Sequence, residues 1–107
     1  MADELIVITH IDLIPKRAPD GTPLLEDSVV VLEEYANEVV ADPGVLRFEL
    51  LQQVYRKNHF EMLTVFSSLE AYEKHRESAV CRSFRETLHP MLGAPFDDRL
   101  HYRYFTD

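Results

Sequence analysis

Residues 45–66 read VLRFELLQQVYRKNHFEMLTVF, two apolar segments separated by a polar turn. Side chains alternate between the two faces of a strand, so Leu46, Phe48 and Leu50 share one face of the first segment. The second segment alternates in the same way and places on one face Phe60, Met62, Thr64 and Phe66. The stretch therefore predicts a pair of antiparallel strands over residues 45–55 and 60–66.

A strand and a helix are predicted before this hairpin. Residues 5–14 are rich in β-branched side chains, which favour a strand. Residues 16–23 hold two prolines and an Asp-Gly pair, which is typical of a loop. Thr22 can cap a helix that ends near Asp42. Apolar residues recur through that helix at Leu25, Val29, Leu32, Ala36 and Val39.

Two helical segments and a last strand are predicted after the hairpin. Ser67 and Glu70 match a capping box, so helices are expected over residues 69–77 and 79–92. The second helix should turn inward Val80, Phe84, Leu88 and Met91. Residues 98–105 alternate and predict the closing strand. The order β-α-β-β-α-β predicts an α+β, ferredoxin-like fold, with a four-stranded antiparallel sheet that carries its helices on one face.

The other face of this sheet also needs cover. The first and third strands carry apolar residues on both faces, and a monomer would expose a larger apolar patch than soluble monomers usually do. We therefore expect a homodimer packed sheet against sheet. A chain of 107 residues suits a single domain over residues 1–107.

Composition disfavours several classes of partner. The formal net charge is −8 and the 11 Lys and Arg residues are scattered, which argues against nucleic acid. The apolar runs are far shorter than the roughly 20 residues that cross a bilayer, so no membrane partner is expected. The acidic N-terminus is unlike a signal peptide, and a lone Cys81 suits a reducing compartment, so a cytoplasmic protein is expected.

The positions of the cysteine and the histidines in the sequence predict neither a reactive thiolate nor a metal site. Cys81 is expected to be a small buried hydrophobe without the electropositive surroundings of a reactive thiolate. The 5 histidines have neither helix-face nor zinc-finger spacing, which predicts no metal site.

Four segments carry a family resemblance: GVLRFELLQ from Gly44, NHFEMLTVF from Asn58, SSLEAYEKH ending at His75 and LHPMLGAPFDDRLH ending at His101. In order and spacing they resemble the antibiotic biosynthesis monooxygenase domain family. These dimeric α/β-barrel proteins include cofactor-independent quinol and anthrone monooxygenases. The resemblance covers nearly the whole chain except residues 16–23. It implies a homodimer, no cofactor, and a small-molecule pocket between sheet and helices.

The resemblance also has departures at functional positions. Family members commonly carry the pattern F-x-x-x-E-x-W on the third strand and a histidine on the next helix. Phe60 and His75 match these positions. Thr64 stands at the glutamate position, Phe66 at the tryptophan position, and Val80 where a second histidine is often found. Phe66 keeps an aromatic wall but lacks the N–H donor of tryptophan.

His75 is the leading candidate for a catalytic base. A monooxygenase without flavin or metal must deprotonate its substrate, and an imidazole has a suitable pKa. The alternative is a solvated histidine on a charged helix. Substrate-binding residues implied by the resemblance or by position are His10, Phe48, Met62, Thr64, Phe66 and Tyr72.

Each of these substrate-binding candidates has a structural alternative. Core packing could explain Phe48, Met62 and Phe66, and an ordinary helix-to-sheet contact could explain Tyr72. His10 could lie at the subunit interface instead. Thr64 lies between apolar residues on a buried face, so it needs a hydrogen-bond partner or a ligand.

Three hypotheses of function remain open on the sequence. The first is a cofactor-independent monooxygenase acting on a small aromatic, quinol-like substrate. The second is an isomerase, because the LRFELLQ strand also resembles the family branch that processes a phosphorylated signalling sugar. The third is a non-catalytic ligand-binding dimer, which the replaced glutamate and tryptophan would fit. A haem-degrading role is disfavoured because the chain has no tryptophan.

Overall fold

The computed structural model describes residues 3–15 and 25–107. Its strands are β1 (Leu5–Asp12), β2 (Val45–Gln52), β3 (His59–Phe66) and β4 (Asp97–Tyr102). Its helices are α1 (Leu25–Val39), α2 (Leu69–Arg76) and α3 (Ala79–Leu88), followed by a short 3₁₀ helix, His89–Met91. The strands form one antiparallel sheet in the order β2-β3-β1-β4. The predicted α+β, ferredoxin-like fold is confirmed. The predicted loop at residues 16–23 and the Thr22 cap lie outside the described residues.

Helix α3 ends at Leu88, not at residue 92 as predicted. Pro90 has no backbone N–H to continue the helical hydrogen bonds, and the chain tightens into the 3₁₀ helix there. Helix α2 begins at Leu69 as predicted, but the capping residue is not the Ser67 of the predicted capping box. Its N-cap is Ser68, whose hydroxyl accepts a hydrogen bond of 3.0 Å from the backbone N–H of Ala71.

Three strands are shorter than predicted. β1 leaves its ladder after Asp12, where Leu13 forms an isolated bridge to Leu92. β2 stops at Gln52, which pairs with Phe60, and the residues after Gln52 form the loop that leads to β3. β4 stops at Tyr102, which pairs with Leu5, the first residue of β1. Beyond Tyr102 the described part of the chain offers no neighbouring strand, so the predicted extension to residue 105 does not form.

A β-bulge changes the predicted faces of β2. The ladder shifts register between Val45 and Arg47, which leaves Leu46 as an extra residue. Val45 therefore joins Phe48 and Leu50 in packing against the main core, and Leu46 is 53% exposed. The prediction that Leu46 shares a face with Phe48 and Leu50 is wrong for this reason.

The helices cover one face of the sheet and form the core with it. Helix α3 buries Cys81, Phe84 and Leu88, which follow helical spacing. Val80, predicted to point inward, is 37% exposed because Cys81 takes the inward position. The main core cluster contains Ile11, Leu13, Leu32, Tyr35, Val39, Phe60, Met62, Phe84, Leu88 and Met91.

The opposite sheet face is apolar along its middle. In β1 the residues alternate between buried and half-buried, and Ile6 and Ile8 belong to the half-buried set. Leu63 of β3 pairs with Ile8 and is also half-buried. This surface, defined by Ile6, Ile8 and Leu63, is called the open sheet face below.

Candidate functional site

His75 lies inside the fold, in the last turn of α2. Its side chain is only 5% exposed, although its neighbours Lys74 and Arg76 are charged. The alternative of a solvated surface histidine is therefore wrong. A buried imidazole needs hydrogen-bond partners for its ring nitrogens.

Both ring nitrogens of His75 have such a partner. Nδ1 lies 2.8 Å from Oδ2 of Asp42, in the turn after α1. Nε2 lies 2.7 Å from the hydroxyl of Tyr35, on α1. The Tyr35 ring stacks on Phe84 of α3, with 3.9 Å between ring centroids. Three helices and one turn thus fix a hydrogen-bonded chain, Asp42–His75–Tyr35.

The turn Asp42-Pro43-Gly44 holds the carboxylate in place. Oδ1 of Asp42 accepts a hydrogen bond of 2.8 Å from the backbone N–H of Gly44. A Cβ atom on Gly44 would lie 3.1 Å from the Cβ of Ala71 and 3.3 Å from Oδ1 of Asp42. Only glycine therefore fits this close approach between the turn and α2 without displacing a neighbour.

The surroundings shift the pKa values of all three groups. Burial lowers the pKa of His75, but hydrogen bonding to Cys81 and Asp42 outweighs it and raises that pKa above 6.5. Burial raises the pKa of Asp42, but hydrogen bonds from His75 and Gly44 bring it below 3.8. Burial raises the pKa of Tyr35 far above its ordinary value, so its hydroxyl stays protonated.

Cys81 borders the same chain of residues and corrects an expectation from the sequence. The thiol is buried next to His75 and Arg85. Burial raises the pKa of the Cys81 thiol, but hydrogen bonding to His75 and Arg85 outweighs burial, and the pKa falls below 9.0. The prediction that Cys81 lacks electropositive neighbours is wrong. The predicted burial of Cys81 is confirmed.

A second polar cluster surrounds Asp98 on β4, whose side chain is 9% exposed. Its carboxylate accepts hydrogen bonds from Thr9 (2.8 Å), Tyr72 (3.2 Å), Arg76 (3.1 Å) and Arg85 (2.6 Å). Arg85 also lies over the ring of Phe96, at 4.6 Å from its centroid. The carboxylate therefore ties β1, α2 and α3 to β4.

A cavity of about 250 Å³ opens beside His75. It lies where the end of α1 meets α2 and α3. Its lining consists of Glu38, Ala41, Asp42, His75, Ser78 and Val80. The resemblance implied a pocket between sheet and helices, whereas this cavity lies among the helix ends. The imidazole therefore combines a buried hydrogen-bonded position with access from a cavity.

The structure brings several predicted binding residues close to His75. The ring of Phe66 lies 5.5 Å from the imidazole and 5.4 Å from the ring of Tyr72. Phe48 reaches the site through Tyr35, with ring centroids 6.2 Å apart. The alternative for Tyr72, a helix-to-sheet contact, is also present, because its hydroxyl binds Asp98.

Met62 and Thr64 lie on the same buried face of β3 as Phe66. Met62 belongs to the main core cluster, so core packing accounts for its burial. Thr64 is 6% exposed and lies opposite Phe48 of β2.

His10 is not brought to His75. It alternates with Thr9 and Ile11, which are buried on the helix side, so it lies on the other face of β1. Its Nδ1 is 3.8 Å from Oε1 of Glu61, and its ring centroid is 5.4 Å from that of His59. His10 is therefore separate from the site on the helix side of the sheet.

Sequence reasoning missed Tyr35, Asp42 and Arg85. Tyr35 carried a usable signal, because it follows Leu32 by three positions on the inward face of α1. Arg85 follows Cys81 by four positions on α3, which also predicts proximity. Asp42 carried no such signal, since it is 33 positions from His75.

The described part of the chain has neither a metal-binding cluster nor a membrane-spanning helix. Within residues 3–15 and 25–107, no cluster of three or more His, Cys, Asp or Glu side chains is arranged to hold a metal ion. None of the helices in these ranges has the length and apolar character that a membrane span needs.

Comparisons with known proteins agree on the fold. No curated protein matches the sequence. PA3566 from Pseudomonas aeruginosa is 20% identical, with a TM-score of 0.82 over 98% of both chains. SnoaB, a cofactor-independent oxygenase from Streptomyces nogalater solved as a point mutant, is 15% identical, with a TM-score of 0.80 over 98% of this chain and 97% of SnoaB. Rv0793 from Mycobacterium tuberculosis is 14% identical, with a TM-score of 0.81 over 96% and 97%.

At these identities the solved structures show a shared fold and nothing more about activity. The sequence profile of the antibiotic biosynthesis monooxygenase family matches residues 25–87, which is more than half of the chain. The matched region contains Tyr35, Asp42 and His75. The protein therefore belongs to the antibiotic biosynthesis monooxygenase family.

Proposed function

We propose that this protein is a cofactor-independent monooxygenase that acts on a small aromatic, quinol-like substrate, with His75 as the catalytic base. Without a cofactor, the electrons for oxygen reduction come from the substrate. A deprotonated quinol donates electrons more readily than a neutral one. The protein must therefore supply a base whose pKa lies near neutral pH, in a position shielded from water.

The observation that carries the proposal is the environment of the His75 imidazole. A carboxylate lies at Nδ1 and a phenol at Nε2, at 2.8 and 2.7 Å. The Tyr35 hydroxyl is the same chemical group as a quinol hydroxyl. In the proposed complex a substrate hydroxyl displaces the Tyr35 hydroxyl from Nε2, and this brings the substrate hydroxyl within proton-transfer distance of that nitrogen.

The neighbouring side chains suit an aromatic substrate. The ring of Phe66 lies 5.5 Å from the imidazole, and the ring of Phe48 packs against Tyr35, so a substrate that displaces Tyr35 from Nε2 would lie among aromatic side chains. Family membership adds support, because SnoaB in the same fold is a cofactor-independent oxygenase.

The proposed reaction balances without an added reductant. His75 takes a proton from a quinol hydroxyl, and the resulting anion reduces O₂. One oxygen atom forms a new bond to a ring carbon, and the other leaves as water. A quinol and O₂ thus give a hydroxyquinone and water, with all four electrons supplied by the quinol.

Oxygen uptake tests this proposal. Purified protein would be mixed with a panel of benzo-, naphtho- and anthraquinols in the presence of a chelator and without flavin. We expect uptake above the rate of autoxidation with at least one quinol. Uptake equal to autoxidation across the whole panel would contradict the proposal.

The protein is also proposed to act as a homodimer joined through the open sheet face. Ile6, Ile8 and Leu63 form an apolar strip on this face. An ion pair flanks the strip on either side, Arg47–Glu49 at 2.6 Å and Arg99–Asp97 at 3.0 Å. An apolar centre with a polar rim is the usual anatomy of a protein interface.

Sedimentation velocity at micromolar concentration tests the dimer. The wild-type protein is expected to sediment as a dimer, with a mass of twice the 12.5 kDa of one chain. Ile8→Glu places a charge in the apolar strip and is expected to give monomers. Val30→Glu is the control, because Val30 lies on α1 and is 51% exposed. A monomeric wild type, or equal sedimentation of the two variants, would contradict the proposed interface.

A further inference from the structure

We infer that Asp42 is a positioning residue that fixes the tautomer of His75, so that Nε2 is the basic nitrogen. The catalytic consequence of this inference rests on the proposed function. The tautomer itself is a property of the protein without substrate, and it can be measured separately.

The two oxygens of Asp42 have separate partners. Oδ1 accepts the backbone N–H of Gly44 at 2.8 Å, and Oδ2 faces Nδ1 of His75 at 2.8 Å. An ionised carboxylate can only accept hydrogen bonds. Nδ1 must therefore carry a proton. In the neutral imidazole the lone pair is then left on Nε2.

Tyr35 is compatible with this tautomer but does not select it. Its hydroxyl stays protonated and lies 2.7 Å from Nε2, and a phenol can donate to an unprotonated nitrogen or accept from a protonated one, so it follows the tautomer that Asp42 sets. Stacking on Phe84 keeps the tyrosine ring in this position. The Cys81 thiol also borders the imidazole, but Asp42 and Tyr35 already lie 2.8 and 2.7 Å from its two ring nitrogens.

The substitution Asp42→Asn would reverse the tautomer. The Gly44 N–H still needs an acceptor, so the oxygen of the new side-chain amide would stay on it. The amide NH₂ would then face Nδ1, and only an unprotonated Nδ1 can accept its hydrogen bond. The proton of the neutral ring would move to Nε2, and the base would be on the wrong nitrogen.

Nitrogen-15 NMR of the histidine rings tests the inference without substrate. At a pH where His75 is neutral, the wild-type protein is expected to show the proton on Nδ1. Asp42→Asn is expected to show it on Nε2 and to lower the pKa of His75. The control is Asp12→Asn, since Oδ1 of Asp12 lies 3.4 Å from Nε2 of His59 on the far side of β1. This control should leave the His75 signals unchanged.

Tyr35→Phe provides a second variant that does not depend on the turn at Asp42. It removes the donor at Nε2 but leaves the carboxylate, so the proton should stay on Nδ1. A proton on Nε2 in the wild type, or in Tyr35→Phe, would overturn the inference. The same holds for a proton that stays on Nδ1 in Asp42→Asn.

Activity then separates this inference from the proposed function. With a quinol substrate, Asp42→Asn is expected to lower kcat by about 100-fold or more, with a much smaller change in KM. A wild-type protein without oxygen uptake would end the proposed function and leave the NMR result standing. A tautomer that switches while kcat stays unchanged would show that His75 is not the base.

Discussion

Replacing His75 by glutamine is expected to lower the rate of quinol-dependent oxygen uptake about 100- to 10,000-fold, the usual range for loss of a general base. Glutamine has similar reach and can still hydrogen-bond to Asp42 and Tyr35. It has no group that accepts a proton near neutral pH. The variant should therefore fold and bind substrate but fail to form the substrate anion.

Stopped-flow or electrode measurements of kcat and KM with the best quinol would check this prediction. His89→Gln is the matched control, because His89 is an exposed residue of the 3₁₀ helix. It should keep the wild-type rate. His75→Gln at the wild-type rate would remove His75 from the mechanism.

The pH dependence of the wild-type rate follows from the same assignment. The active form of the base is neutral His75, so kcat should rise with pH as His75 loses its proton. The apparent pKa should lie above 6.5, because hydrogen bonding to Cys81 and Asp42 outweighs the effect of burial. A rate that falls over this range would indicate that the protonated ring is the active form.

Asp98→Ala is expected to lower the free energy of unfolding by about 3–5 kcal/mol, the cost of breaking a buried ion pair by removing one partner. The side chain of Arg85 is 22% exposed, and its guanidinium would lose the 2.6 Å contact to Asp98. The hydroxyls of Thr9 and Tyr72 would lose the same acceptor. Arg76 should contribute little, because its side chain is 44% exposed.

Urea denaturation would measure this loss, and the neighbouring residue gives a control. Asp97 pairs with Arg99 at 3.0 Å, but their side chains are 48% and 72% exposed. Asp97→Ala should therefore change the free energy of unfolding by less than about 1 kcal/mol. Similar losses in the two variants would contradict a larger contribution of Asp98 than of Asp97 to the stability of the fold.

The fold could be predicted because its signals are local. Alternation in residues 45–66 gave the hairpin, and helical spacing gave α1 and α3. The errors occur where a partner elsewhere decides the outcome. β4 ends where β1 begins at Leu5, and the bulge at Leu46 depends on the register with β3. Neither feature can be derived from the segment that carries it.

The site was predicted less completely. The resemblance pointed to His75, but its charged neighbours on α2 gave no sign of burial. Its partners Asp42 and Tyr35 lie 33 and 40 positions away in the chain. Such pairs arise only when α1 packs next to α2 and α3. The surroundings of Cys81 are different, because Arg85 lies one helical turn further along the same helix and this spacing is visible in the sequence.

Labelled oxygen provides the most direct measurement of the proposed chemistry. The purified protein would turn over its quinol under ¹⁸O₂ with a chelator and no added cofactor, and the product would be analysed by mass spectrometry. We predict one ¹⁸O atom per product molecule with the wild-type protein and only the autoxidation background with His75→Gln. A product without ¹⁸O, or equal labelling by both proteins, would contradict a monooxygenase that depends on His75.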